Sequence, residues 1–167
     1  MNIIMTGSTS FVGAATVREL LRRGHTVTAI VRPKSSKLDT ILEGNEEALL
    51  SGRLLVTEND LSEPEKLLEK VTKPQDVFCH FGWGGSGSAS RTDKALQEKN
   101  MEISLETIRT AKALGCKKFL FSGSQAEYGM HQDLITEDTV CEPKSLYGEA
   151  KLAMREKGEK LCDELGL

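Results

Sequence analysis

The class of fold is indicated by the N-terminal run Met1-Asn2-Ile3-Ile4-Met5-Thr6-Gly7-Ser8-Thr9-Ser10-Phe11-Val12-Gly13. Its apolar start predicts a strand over residues 2–6, and the glycine and hydroxyl residues that follow predict a turn. Apolar side chains at helical spacing then predict a helix over residues 11–23 that ends at Gly24. These side chains are Val12, Ala15, Leu20 and Leu21. A strand, a glycine-bearing turn and a helix in direct succession indicate a βα unit.

The turn of this unit is a candidate for binding the pyrophosphate of a dinucleotide. Gly7 allows a tight turn, and Gly13 lets the helix pack closely on the strand. Between them, the N–H groups of the helix start would face the pyrophosphate; they belong to Ser10, Phe11 and Val12. Turns of this kind usually carry a glycine at the position of Ser10, whose side chain would either crowd the phosphates or donate a hydrogen bond to one. A purely structural turn has the same composition, so both interpretations stay open.

The rest of the chain alternates short β-rich runs with longer segments of helical periodicity, which is typical of an α/β fold with a parallel sheet. Further strands are expected at His25–Arg32, 53–58, Asp76–Phe81 and 117–122. Further helices are expected at Glu63–Val71, with Ser62 as N-cap and Pro64 in the first turn, at 92–114 and at 145–165. A chain of 167 residues suits a single domain, which at this size buries roughly 70% of its unfolded surface.

Composition excludes several classes of protein. A formal charge of -3 leaves no basic field for a nucleic-acid backbone. The cysteines contain no Cys-x-x-Cys motif and the histidines are scattered, so neither a metal site nor a disulfide framework is indicated. No apolar run approaches the roughly 18 residues that span a bilayer. We therefore expect a reduced, cytoplasmic protein that binds neither nucleic acid nor a membrane.

Two loops stand out beside the glycine turn. The second strand ends in Arg32-Pro33-Lys34, where dinucleotide folds commonly place an acidic residue that binds the ribose. A guanidinium there favours a 2′-phosphate, so we expect a preference for NADP over NAD, with a solvated basic turn as the alternative. Residues 82–90, Gly-Trp-Gly-Gly-Ser-Gly-Ser-Ala-Ser, suit either a loop that adapts to a ligand or a plain flexible connection.

Candidate catalytic residues follow the fifth strand. Tyr147 and Lys151 stand four apart, on one face of a helix, and an ammonium beside a phenol favours the phenolate that a general base requires. Such pairs also arise by chance in helices. Ser124 follows the carboxyl end of the fifth strand, where open α/β sheets bind their ligands, although serines there are commonly turn formers.

Taken together, these motifs resemble the extended short-chain dehydrogenase/reductases, specifically the NAD(P)-dependent epimerase/dehydratase family that acts on nucleotide sugars. The resemblance covers the whole chain and includes the Rossmann-type fold. Further landmarks agree with it: Asp60-Leu61 is similar to the pair that contacts adenine, Asp76–Phe81 is similar to strand 4, and Asn100 stands where the long helix carries an asparagine.

The resemblance implies roles for individual residues. Tyr147 would be the acid/base, Lys151 would hold the nicotinamide ribose, and Ser124 would bind the reacting oxygen while hydride passes between nicotinamide and a sugar carbon. Phe81 and Gly82 would face the nicotinamide side, although Gly82-Trp83-Gly84-Gly85 replaces the usual Ala-Ala. Where 4,6-dehydratases carry Thr-Asp-Glu this chain has Ser124-Gln125-Ala126, which disfavours dehydration and leaves epimerase or ketoreductase chemistry.

Length adds a further expectation. Extended members of the family continue with two more strands and a substrate-binding region, so we expect about five strands here and a chain that is either a fragment or a natural short form. An exposed fifth strand would favour self-association or low stability, and the helices 92–114 and 145–165 resemble those of the family's homodimer contact. The alternatives to an enzyme are an NADP-binding module or sensor without turnover and a non-enzymatic interaction domain.

Overall fold

The computed structural model describes residues 1–85 and 87–167, and these form one five-stranded parallel sheet. The strands are β1 (Asn2–Thr6), β2 (Thr26–Val31), β3 (Leu54–Glu58), β4 (Val77–His80) and β5 (Lys118–Phe121). Their order is β3-β2-β1-β4-β5, with every neighbouring pair parallel. The predicted α/β class, the doubly wound Rossmann-type sheet and its five strands are confirmed.

Six helices connect or follow the strands. They are α1 (Phe11–Arg22), α2 (Asp39–Leu42), α3 (Glu46–Leu50), α4 (Leu67–Lys70), α5 (Lys94–Ala113) and α6 (Leu146–Leu165). Short 3₁₀ turns occupy Pro64–Lys66, Ala89–Thr92 and Gln125–Glu127. The sequence did not predict α2 and α3, which are short and lie between β2 and β3.

The prediction that Ser62 caps a helix over Glu63–Val71 was wrong. The segment starts with the 3₁₀ turn, its N-cap position is Glu63, and only one turn of α-helix follows. Ser62 instead donates from both its backbone N–H and its hydroxyl to the Asp60 carboxylate, at 2.9 and 2.6 Å. The Ser62 hydroxyl is therefore directed at the preceding Asp60 and not at the N–H groups of the 3₁₀ turn.

Two apolar layers cover the sheet, because successive strand residues point to opposite faces. One face of β1, with Ile3 and Met5, packs against α1, α2 and α3. The other face, with Ile4, packs against Leu67 of α4 and Ala111 of α5. Helices on both faces explain why the inner strands are almost continuously buried, as parallel sheets require.

β5 differs from the inner strands. It pairs only with β4, and along its length exposed residues alternate with half-buried ones. Leu120 on this strand is 51% exposed. Within the part of the chain that the structure describes, β5 is therefore one of two edge strands, and β3, which pairs only with β2, is the other.

None of the described helices is long and apolar enough to cross a bilayer. Among the described residues, no group of three or more His, Cys, Asp or Glu side chains is arranged to hold a metal ion. All four cysteines are free thiols, and Cys79 and Cys116 are buried.

Candidate dinucleotide and catalytic site

The carboxyl ends of β1 and β4 form the switch point of the sheet, where the strand order reverses and a crevice opens. Here the Thr6 hydroxyl and the His80 Nδ1 are 2.9 Å apart, and Thr6 Oγ1 also accepts from the Gly82 N–H at 3.2 Å. His80 Nε2 contacts the Ser104 hydroxyl of α5 at 3.0 Å. Burial lowers the pKa of His80 to about 3, and the Lys151 charge acts in the same direction. A neutral histidine thus joins β1, β4 and α5 beneath the crevice.

The glycine turn lies directly against this point. Gly7 has φ +68°, a conformation that favours glycine, and a Cβ there would lie 2.6 Å from the Phe81 carbonyl carbon. A Cβ on Gly13 would overlap the carbonyl oxygen of Gly7. Both glycines are therefore required by close backbone contacts, and the turn brings Phe81 and Gly82 next to the start of α1.

The start of α1 offers unpaired donors. Ser10 is the N-cap, and its hydroxyl oxygen accepts from the Gly13 N–H at 3.0 Å while its own proton stays free to donate. The Ser10 N–H, predicted to face the pyrophosphate, donates instead to the Gly7 carbonyl at 3.0 Å. The N–H groups of Phe11 and Val12 have no partner among the described residues, as expected for the first turn of a helix. Phe11 is 94% exposed. These donors fit the anionic pyrophosphate predicted for this turn.

Arg32 lies with Asp60 at the opposite end of the crevice from α6, around a cavity of about 360 Å³ that Lys34, Ser35 and Ser36 also line. The bonds from Ser62 lower the pKa of Asp60, and the positive charge of Arg32 contributes, so the carboxylate is ionised. Leu61 packs on Gly82, where an added Cβ would lie 2.7 Å from the Leu61 side chain. The predicted Asp60-Leu61 pair is thus next to both the basic turn and the switch point.

Tyr147 lies in the first turn of α6, whose N-cap, Ser145, accepts from the Gly148 N–H at 3.1 Å. A Cβ on Gly148 would overlap the carbonyl oxygen of Ala126, so α6 starts in close contact with the 3₁₀ turn that follows β5. This close approach places the predicted phenol beside the segment that carries Ser124.

Lys151 is 2% exposed, and its Nζ donates to the Ser122 carbonyl at 2.9 Å. Burial lowers the pKa of Lys151 to about 8, while the negative charge of Glu127 opposes that shift. The Nζ atom is 5.9 Å from the ring centroid of Tyr147. The predicted pair is thus together at the carboxyl end of β5, with an ammonium that the interior destabilises.

Ser124 starts the 3₁₀ turn, and it forms a reciprocal capping arrangement with Glu127. The Ser124 hydroxyl accepts from the Ala126 N–H at 3.2 Å, and Glu127 accepts from the Ser124 N–H at 2.7 Å. Glu127 is 2% exposed and lies 3.5 Å from the guanidinium of Arg155. Sequence reasoning missed Glu127, although the Ser-x-x-Glu spacing is the known signal for a capping box.

The loop after β4 is held to α5 rather than loosely attached. Asn100 accepts from the Gly84 N–H at 3.0 Å and donates to the Gly84 carbonyl at 2.8 Å. Trp83 donates from Nε1 to Gln97 at 3.0 Å. The predicted role of Asn100 in cofactor binding stays a prediction, since the described hydrogen bonds of its side chain all go to this loop. Ser86, within the predicted adaptable loop, lies outside the described residues.

Two loop residues that the sequence did not single out contact the predicted catalytic pair. The Trp83 ring stands at 89° to the Tyr147 ring, with centroids 6.2 Å apart. The Arg91 guanidinium lies 5.0 Å from the centroid of the Tyr147 ring. The sequence did not indicate either residue, because both lie in or beside a glycine-rich stretch. Their contacts are with a helix that is distant in the chain.

Comparison with known proteins shows what the chain is similar to. The model of the NAD dependent epimerase/dehydratase family matches residues 3–167. The chain is 30% identical over 154 residues to D-erythronate dehydrogenase of Cupriavidus necator, an alignment that covers 90% of this chain and 47% of that protein. It is 30% identical over 158 residues to dTDP-6-deoxy-L-talose 4-dehydrogenase (NAD(+)) of Aggregatibacter actinomycetemcomitans, covering 93% and 53%.

A solved structure extends the agreement to the fold. UDP-glucose 4-epimerase from Thermotoga maritima, in a structure with UDP-glucose, superposes with a TM-score of 0.80 at 25% identity, covering 100% of this chain and 53% of that one. The chain therefore spans about half the length of the relatives it matches.

Proposed function

The chain belongs to the NAD dependent epimerase/dehydratase family, and on that premise we propose that it forms the cofactor-binding and redox part of an enzyme acting on a nucleotide sugar. Its relatives include a UDP-glucose 4-epimerase and a dTDP-6-deoxy-L-talose 4-dehydrogenase. Within this chain, Tyr147, Lys151 and Ser124 are the proposed catalytic set.

The observation that carries the proposal is the buried ammonium of Lys151 beside Tyr147, at the same edge of the sheet as the unpaired donors of α1. The glycine turn fits a pyrophosphate because its backbone approaches closely and its helix start has free N–H groups. When bound, a nicotinamide cofactor supplies hydride acceptance and donation. Lys151 would hold a ribose hydroxyl and attract the charge of a phenolate on Tyr147.

The protein's own residues then divide the proton chemistry. Tyr147 would take the proton from a sugar hydroxyl as the carbon is oxidised and return it on reduction, while Ser124 would hold the same oxygen by a hydrogen bond. The only carboxylate of the 3₁₀ turn, Glu127, is committed to the Ser124 N–H and to Arg155. Elimination of water needs a free acid and base, so epimerase or ketoreductase chemistry is favoured over dehydration.

The experiment that tests this proposal compares the chain with Tyr147→Phe in assays with NAD+ and a panel of nucleotide sugars. The variant should retain cofactor binding and lose turnover by about 10²- to 10⁴-fold, because only the proton transfer is removed. Turnover that survives the change intact would show that Tyr147 is not the acid/base. Cofactor binding without turnover in the unaltered chain would favour the alternative of a non-catalytic binding module or sensor.

One observation favours a second candidate substrate class. Arg91 is exposed and its guanidinium lies on the Tyr147 ring, where it could pair with a carboxylate near the reacting carbon. D-erythronate dehydrogenase is among the relatives. A dehydrogenase of a sugar acid without a nucleotide is therefore the second candidate. Adding four-carbon sugar acids to the substrate panel tests this candidate. Arg91→Met should reduce turnover of these acids more strongly than turnover of the nucleotide sugars.

The cofactor is NAD by the family's description and by the name of one relative, and the comparisons give no support to the expected preference for NADP. That preference stays a prediction that rests on Arg32 and Lys34 beside the cavity at the end of β2. The ionised Asp60 lines the same cavity and would repel a 2′-phosphate. Titrating NADH and NADPH against the unaltered chain and against Arg32→Ala decides between the two cofactors. If the unaltered chain binds NADH as tightly as NADPH or more tightly, the 2′-phosphate assignment is excluded.

A homodimer also stays a proposal. α5 and α6 pack against each other, and the family resemblance implies that a second copy would add its own pair. The open edge at β5 offers a different route to self-association. Sedimentation of the chain and of Leu120→Lys separates the routes, since only edge pairing should weaken in the variant.

A cytoplasmic location likewise stays a prediction.

A further inference from the structure

Trp83 is the sole tryptophan of the chain, and its indole lies directly on the ammonium of Lys151. The Lys151 Nζ is 4.0 Å from the Trp83 ring centroid and 4.4 Å from that of Phe121. These two rings, hereafter the aromatic clamp, are 6.0 Å apart between centroids. Ser122 supplies one carbonyl acceptor for the ammonium, so the rings face N–H groups that this carbonyl leaves free.

The orientation of the indole is determined by α5. Its Nε1 donates to Gln97, which is 2% exposed and itself donates to the Ser90 carbonyl at 2.8 Å. The next residue, Gly84, is held through both backbone groups by Asn100. Two buried amides one helical turn apart therefore hold the indole nitrogen and the backbone of the residue that follows it, which restricts the orientation of the ring.

We propose that Trp83 is a positioning residue for Lys151: its indole, oriented by Gln97, completes the aromatic clamp that holds the ammonium between the Ser122 carbonyl and Tyr147. This deepens the proposed function, because it explains how Lys151 is oriented before a ribose arrives. Aromatic π faces take the place of most of the water around the Lys151 ammonium. They attract its positive charge without requiring one hydrogen-bond direction. A ribose hydroxyl then meets a donor that is already in place.

Other charged and titratable groups surround this ammonium on each neighbouring element. Glu127, from the 3₁₀ turn, attracts it and is paired in turn with Arg155 of α6. His80 of β4 is neutral, and Tyr147 shares the helix face. Lys151, whose pKa is about 8, is the group that touches the indole.

The test uses the emission of Trp83 in the chain without cofactor or substrate. Emission should change with pH through a single transition near pH 8, because the charge on the indole face disappears as Lys151 loses its proton. Lys151→Met should lose the transition, whereas Lys160→Met, an exposed lysine on the same helix, should retain it. Emission that stays constant with pH, or a transition that persists in Lys151→Met, would overturn the proposal.

A second measurement tests positioning rather than contact. Pulse acetylation at several pH values, read residue by residue by mass spectrometry, reports the reactivity and titration midpoint of Lys151. In Trp83→Ala, water should reach the ammonium, so the midpoint should shift upward toward that of ordinary lysine, and Trp83→Phe should restore it. The exposed Lys160 is the internal reference, since general unfolding would change both lysines.

An unchanged Lys151 midpoint in Trp83→Ala would overturn the positioning role even if the contact exists. Neither measurement involves a cofactor or a turnover assay. The proposal about Trp83 can therefore fail while the chain still binds NAD(H), and it can succeed when the proposed function fails.

Discussion

The two ends of the crevice are built in different ways. The proposed diphosphate end, formed by Gly7, Ser10 and Gly13, consists of backbone atoms and one hydroxyl from a single continuous stretch. The proposed nicotinamide end, formed by Trp83, Tyr147 and Lys151, consists of side chains from a loop and a distant helix. A backbone-built site tolerates no added atoms but is insensitive to pH. A side-chain-built site around a buried ammonium is instead sensitive to charge.

The largest effect should come from filling the diphosphate end. Gly13→Ala places a methyl group onto the Gly7 carbonyl oxygen, so the backbone must shift; we expect a loss of about 1–3 kcal/mol in unfolding free energy and loss of NADH binding. Thermal melts and NADH titration measure both. Gly87→Ala is the matched control, because an added Cβ there meets no atom within 4 Å. Unchanged NADH affinity in Gly13→Ala would show that this end does not hold the diphosphate.

A change of charge should act on the nicotinamide end alone. Glu127→Gln keeps an acceptor for the Ser124 N–H but removes the negative charge that raises the pKa of Lys151. The pKa of Lys151 should therefore fall below its value of about 8, and the emission transition of Trp83 should move to lower pH. Glu159→Gln, an exposed carboxylate of α6, serves as control. A midpoint that stays constant or rises in Glu127→Gln contradicts this account of the ammonium.

The smallest effects should come from the N-caps of α1 and α6, which have nearly the same geometry and lie at opposite ends of the crevice. Ser10→Ala and Ser145→Ala each remove one N-cap bond, of 3.0 and 3.1 Å, and should each cost about 1 kcal/mol in unfolding free energy. Ser10→Ala also removes a donor for a phosphate, so it alone should weaken NADH binding clearly. A larger loss of affinity in Ser145→Ala would reverse the assignment of the two ends.

The sequence predicted the features that depend on local patterns. The five strands, the glycine turn and the Tyr147–Lys151 spacing follow from short-range periodicity and motif, and the structure contains all three. α2 and α3 were not predicted because helices of one turn leave too short a periodic signal. The error at Ser62 arose because its hydroxyl bonds to the neighbouring Asp60 carboxylate instead of capping the segment that follows.

The nicotinamide end was predictable only in part. Tyr147 and Lys151 are neighbours on one helix, but Trp83 reaches them through the packing of α5 and α6, which no local pattern encodes. Because of its glycines, the loop was expected either to adapt to a ligand or to be a plain flexible connection. In the structure, Gln97 and Asn100 hold it, and buried amides on a long helix give no sequence signal that distinguishes them from surface ones.

Energy transfer from Trp83 to NADH tests most directly whether both ends of the crevice hold one nicotinamide dinucleotide. A nicotinamide at Lys151 would lie close to this indole, so NADH should quench Trp83 emission in a saturable manner and gain emission of its own. Gly13→Ala should abolish both signals, although it leaves Trp83 unaltered. NADH that binds without quenching Trp83, or quenching that persists in Gly13→Ala, would contradict the account.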